Sequence, residues 1–65
     1  MGVVKVRDAI KMIEDNGWYY LRTAGSHRQY KHPKKPGRVT IAGHPGDEVA
    51  HKTLKSIRQQ AGLEK

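Results

Sequence analysis

Val6, Ala9, Ile10, Ile13 and Gly17 recur at i, i+3, i+4, i+7 and i+11, with Arg7, Asp8, Lys11, Glu14 and Asp15 between them. An apolar stripe on that period is an amphipathic helix, and Asn16-Gly17 supplies the left-handed stop that a helix end commonly needs. The pattern predicts a first helix over residues 6–16. The period then changes. Residues 18–23 are rich in aromatic and β-favouring side chains, and Ala24-Gly25-Ser26 is a small-residue break able to reverse the chain, so a β-hairpin is expected. Its second strand, residues 27–32, would set His27, Gln29 and Lys31 on one face and Arg28, Tyr30 and His32 on the other. Pro33-Lys34-Lys35-Pro36-Gly37 reads as a turn and residues 38–42 as a third strand. A loop with two glycines and Pro45 follows, and from about His51 the spacing of Leu54, Ile57 and Ala61 returns to helical period until Gly62.

The expected order is αβββα, an α+β fold in one domain spanning residues 1–65. A three-stranded antiparallel sheet would carry both helices on one face and leave its other face partly free. The double-stranded-RNA-binding domain has the same order and recognises RNA largely by shape, through phosphates and 2′-hydroxyls.

Composition narrows the partners. A chain of 65 residues buries only about 60% of its unfolded surface, and without cysteine it has neither disulfides nor a Cys-based metal to stiffen a thin core. A partner or self-association would add what the core lacks. Thirteen Lys and Arg against six Asp and Glu give a net charge of +7 and a pI near 10.1, which points to polyanions. Lys5, Arg7, Asp8 and Lys11 interrupt any apolar run near the N-terminus, so neither a signal peptide nor a membrane span is expected, and the chain reads as cytoplasmic. Met1-Gly2 opens like a myristoylation signal, but Val6 stands where that signal wants Ser or Thr.

Four histidines invite a metal reading, yet His27, His32, His44 and His51 match no familiar ligand spacing, and His27 and His32 would point to opposite faces of one strand. No metal or other cofactor is expected. His27 differs from the rest because it follows Gly25-Ser26, where the backbone can approach a ligand closely, and because Arg22, Arg28 and Lys31 flank it. An imidazole can move a proton near neutral pH; a solvated histidine on a turn is the commoner case for such a residue. The basic residues form two groups: Arg28, Lys31, Lys34, Lys35 and Arg38 around the second turn, and Lys52, Lys55 and Arg58 along the second helix opposite Leu54, Ile57 and Ala61. Either is a phosphate-tracking surface or a solvated face. Of the aromatics, Trp18 and at least one of Tyr19, Tyr20 and Tyr30 are expected in the core. Ser26 has no acid or base partner at triad-like positions and reads as a turn residue or phosphate donor.

Taken in order, Gly17-Trp18, Arg22, Gly25-Ser26-His27, His32-Pro33, Pro36-Gly37-Arg38-Val39-Thr40, His44-Pro45, Thr53-Leu54-Lys55-Ser56-Ile57 and Ala61-Gly62-Leu63 resemble the HicA, or YcfA-like, toxin family over nearly the whole chain. The chain departs from the common pattern at Ala42-Gly43, where a proline often precedes the His-Pro pair, and at His51-Lys52, where Pro and Gly often open the second helix. The resemblance implies a type II toxin, an endoribonuclease acting on mRNA, with His27 at the position of the catalytic histidine and a HicB-like antitoxin as its protein partner. On that expectation Arg22, Gly25, Ser26, Arg28, Lys31, Lys34, Lys35, Arg38, Lys52 and Lys55 contact RNA, with Arg22, Arg28 and Lys31 stabilising charge at phosphorus. Two other classes use the same charge: a non-catalytic RNA-binding module of this fold, and an adaptor for an acidic protein.

Overall fold

The computed structural model describes residues 3–63, so the Met1-Gly2 pair and the acidic Glu64 lie outside the described residues. The first apolar stripe forms α1 (Val6–Glu14), and β1 (Tyr19–Ala24), β2 (His27–Lys31), β3 (Val39–Ala42) and α2 (His51–Gln60) follow. The order is the expected αβββα. β2 is the central strand, paired antiparallel with β1 and β3.

One face of this sheet makes the core. Val6, Ala9 and Ile13 of α1 meet Leu54 and Ile57 of α2, Ala61 beyond it, Trp18, and Tyr30, Val39 and Ile41 of the sheet. Both helices therefore cover the same side, called the inner face here. β2 and β3 are covered, but all six residues of β1 remain exposed.

Trp18, expected as the first strand residue, is taken instead by the end of the helix. Its N–H donates to the Ile13 carbonyl at 3.1 Å while the Gly17 N–H donates to Glu14 at 3.0 Å, the crossed pair of a Schellman motif with Gly17 at φ +94°. The Trp18 indole N–H then reaches the Ala61 carbonyl at 3.2 Å, joining the C-terminal ends of both helices. At the other end of α1 the loop between β3 and α2 supplies acceptors: Val6 and Arg7 N–H groups donate to Asp47 and Pro45 carbonyls at 2.9 and 3.1 Å. These are N–H groups a helix cannot satisfy internally. That loop thus has a capping role that its Gly-rich sequence did not disclose.

His32 closes the strand end. Its Nδ1 accepts the Lys34 and Lys35 N–H groups at 2.9 and 3.2 Å, so the ring proton sits on Nε2 and is donated to the Asn16 carbonyl at 2.9 Å. The ring stands edge-on to Trp18 with centroids 5.3 Å apart. Among the described residues no helix is long and apolar enough to cross a membrane.

Candidate nucleic-acid interface

The β1–β2 hairpin turns through only two residues, because Ala24 pairs with His27 across Gly25-Ser26. Gly25 has φ +63° and Ser26 does not share the positive sign, which is the type II′ turn whose twist suits a hairpin. The tight turn places His27 as the first residue of β2. Strand alternation then decides its face: Tyr30 is buried inward, so His27, Gln29 and Lys31 point to the outer face.

On that face His27 has Ala24 as its neighbour on β1 and Ala42 as its neighbour on β3. Two methyl groups leave the exposed imidazole unobstructed on both sides. One step further along the strands, Gln29 faces Arg22 on β1 and Thr40 on β3. The Gln29 side-chain oxygen accepts from the Arg38 guanidinium at 2.8 Å, which draws Arg38 over the sheet beside Arg22. Lys31 and its partner Tyr19 complete the row.

Arg22 owes its place to a bulge. The register of β1 on β2 shifts between Tyr20, opposite Tyr30, and Arg22, opposite Gln29, so that Leu21 is the extra residue. In an unbroken ladder Leu21 would face Gln29 and Arg22 would face Arg28 on the inner side, since a one-residue slip moves every side chain to the other face. The bulge therefore carries Arg22 to His27's face, a use of bulges common near functional sites. Gln29 and Leu21 were missed in the sequence. Alternation from His27 was enough to find Gln29, whereas nothing local to residues 19–24 announces a bulge.

The structure does not gather all the expected cations at His27. Arg28 lies on the inner face, because alternation in β2 separates neighbours, and its guanidinium donates to the Gly43 carbonyl just past β3 at 2.6 Å. It does not share His27's face, and this corrects the expectation that it acts at the same phosphorus. Lys31 is on the same face as His27, four residues along and about 13 Å away between backbones by strand rise. Lys35 is half-buried and caps α2, its Nζ 3.1 Å from the Ala61 carbonyl, as a cation near a helix C-terminus is expected to do. Lys34 is exposed in the second turn, and Lys52 and Lys55 are exposed on α2, on the helical side of the sheet. Gly25 and Ser26 form the exposed hairpin tip beside His27.

The electrostatics are correspondingly one-sided. β1, β2 and β3 carry no acidic residue; Asp8, Glu14 and Asp15 belong to α1 or its end, and Asp47 and Glu48 to the loop after β3. Among the described residues the one ion pair is Lys11–Asp15 at 3.9 Å, both exposed, so Arg22, Lys31 and Arg38 are left unneutralised. A cleft of about 300 Å³ opens elsewhere, between β3, α2 and the loop after β3, but no Lys, Arg or His lines it. It is unsuited to phosphate, while a nucleic acid can be tracked along an open basic surface without a cleft. The buried Tyr30 phenol has its pKa raised, by desolvation first and by nearby Glu14 second, with Arg28 acting in the opposite sense.

Comparison with protein families finds that residues 6–63 match the model described as the HicA toxin of bacterial toxin-antitoxin. No curated protein matches the chain.

Proposed function

This chain belongs to the HicA toxin family and is a toxin that acts with a cognate antitoxin; from that premise we propose that it is an endoribonuclease that cleaves mRNA, with His27 moving the proton. The observation that carries the reading is the unobstructed imidazole between Ala24 and Ala42 on an outer face whose charges are Arg22, Arg38 and Lys31. His27 takes the proton of an RNA 2′-hydroxyl, the 2′-oxygen attacks the adjacent phosphorus, and the bond to the 5′-oxygen breaks. Arg22, with Arg38 held by Gln29, stabilises the phosphorane charge. Water or another group protonates the leaving 5′-oxygen, giving a 2′,3′-cyclic phosphate and a 5′-hydroxyl. Holding the RNA's own nucleophile beside its phosphorus makes attack effectively unimolecular. The reaction is proposed to be metal-independent, which is supported by the position of the described carboxylates off all three strands. The partner is a HicB-like antitoxin with an acidic surface that covers His27.

A second reading, an RNA-binding module without catalysis, has one observation in its favour: the three strands hold no second histidine and no carboxylate to serve as the other proton-transfer group. Incubation of purified protein with a mixed mRNA separates the two. His27→Ala is expected to lower cleavage at least about 100-fold, the size of one general acid-base contribution, with RNA affinity changed less than about tenfold, one lost contact. Chelation should leave cleavage intact and a 2′-deoxy residue at the cut site should stop it. Undiminished cleavage by folded His27→Ala overturns the role of His27, and magnesium-dependent recovery after chelation overturns the metal-independent route.

A further inference from the structure

We infer that Tyr19 is a base-stacking subsite for single-stranded RNA, lying along the outer face from the phosphate position at His27; the inference rests on the nucleic-acid reading of that face. The other aromatic rings already have work within the fold. Trp18 and Tyr30 are buried, and Tyr20 stands edge-on to Tyr30 at 5.9 Å while its hydroxyl is 2.6 Å from that of Thr23. Tyr19, 49% exposed, makes no ring pair among the described residues.

A single exposed tyrosine carries nothing by itself, since isolated exposed apolar surface is ordinary. What carries the inference is alignment. Tyr19 pairs with Lys31, Arg22 with Gln29, and Ala24 with His27, so a ring, a row of cations and an imidazole follow one another along one face of two paired strands. Lys31 and His27 are four residues apart, about 13 Å by strand rise, a distance an extended strand covers in a few nucleotides. The cations between them, Arg22 and the Gln29-held Arg38, match the phosphates such a strand would present. Stacking on an aromatic ring beside a charged groove is how proteins hold single strands without reading sequence.

The same geometry selects against duplex. Bases in an A-form helix are stacked on one another and show only their edges, so a ring projecting from a sheet has no base face to meet. Tyr19 is thus expected to distinguish unpaired from paired RNA, which phosphate contacts alone do not do.

The test uses the His27→Ala chain as the background, so that binding is read without cleavage. The probes are a fluorescently labelled ten-nucleotide RNA with no self-complementarity and the duplex of the same strand with its complement. Tyr19→Ala is expected to weaken single-strand binding about tenfold and duplex binding less than about twofold, whereas Tyr19→Trp keeps or tightens the single-strand affinity. Equal losses on both probes, or a single-strand loss below about twofold, overturn the stacking role, as does failure of Tyr19→Trp to retain affinity while the variant's circular dichroism is unchanged. Cleavage by the chain with native His27 is followed in parallel. If it cleaves but Tyr19→Ala binds normally, the subsite fails and the nuclease reading stands; if Tyr19 governs binding but nothing is cleaved, the subsite stands and the nuclease reading fails.

Discussion

Gly17→Ala tests how the two ends of the fold are locked together, and its size can be worked from three contacts. Gly17 has φ +94°, and a methyl group built on it would stand 2.6 Å from the His32 Nε2, nearer than such atoms ever come. The left-handed backbone alone costs an L-residue about 1–2 kcal/mol. The ring must also move, which threatens the Nε2–H bond to Asn16 at about 0.5–1.5 kcal/mol and the edge contact with Trp18 at about 0.5–1.5 kcal/mol. Together these give a loss of about 2–5 kcal/mol, against a total stability of roughly 3–10 kcal/mol for a chain of this length. Tm should fall by roughly 8–40 °C, at about 4–8 °C for each kcal/mol in a chain of this size. Urea unfolding followed by the fluorescence of Trp18, the chain's one tryptophan, measures the loss, and a double-mutant cycle apportions it. In a His32→Ala background the clash is gone, so Gly17→Ala should cost only the backbone part. An equal cost in both backgrounds would show that His32 is not what the methyl group meets, and a loss under about 0.5 kcal/mol would refute the left-handed requirement itself.

Tyr30 makes the fold sensitive to alkali: with its pKa raised above the ordinary 10.0, the folded state favours the neutral phenol. Its contribution is therefore complete below pH 10 and is lost as pH rises through the folded-state value. Tyr30→Phe should show a smaller drop in stability between pH 9 and 11 than the native chain, and an identical drop would remove Tyr30 as the cause. Replacing Arg22, Lys31 and Arg38 together by Ala should lower the slope of log affinity against log salt by about 2 on single-stranded RNA, whereas the Lys52, Lys55 and Arg58 triple variant should leave it unchanged. The reverse result would move the interface to α2. With the cognate antitoxin bound, amide exchange should slow at the β1–β2 hairpin tip around Ser26 and His27; protection confined to α2 would contradict occlusion.

How much of this was legible depended on whether the signal was local. The apolar period of Val6, Ala9 and Ile13, and of Leu54, Ile57 and Ala61, lies within each segment, and both helices form where it predicts. Gly25-Ser26 likewise sets a turn by itself. The faces of β1 were not legible, because they depend on a bulge at Leu21 that exists only through pairing with β2. The fates of Arg28 and Lys35 were hidden for a similar reason. Each satisfies a carbonyl distant in sequence, Gly43 for one and Ala61 for the other, and a run of basic residues reads the same whether its members face solvent or cap a chain end.

The placement of the core on one side of the sheet also explains how so small a chain tolerates its charge. Two like charges about 10 Å apart repel by only about 0.4 kcal/mol in water, and a Debye length of about 8 Å at physiological ionic strength reduces that further. Arg22, Lys31 and Arg38 therefore weaken the fold by less than about 1 kcal/mol between them, and none displaces an apolar contact, since Tyr30, Val39 and Ile41 all face inward. Burying the same cations would cost several kcal/mol each. The outer face is thus free to vary in chemistry without loss of the fold, and its unbalanced charge becomes binding free energy once a polyanion arrives. A ligand that binds only the folded chain at 100 times its dissociation constant adds about 2.7 kcal/mol, a large fraction of what a 65-residue chain holds. On the proposed reading, an acidic antitoxin surface and an RNA backbone draw on the same three cations, so inhibition follows from competition for the charge as well as from cover over His27.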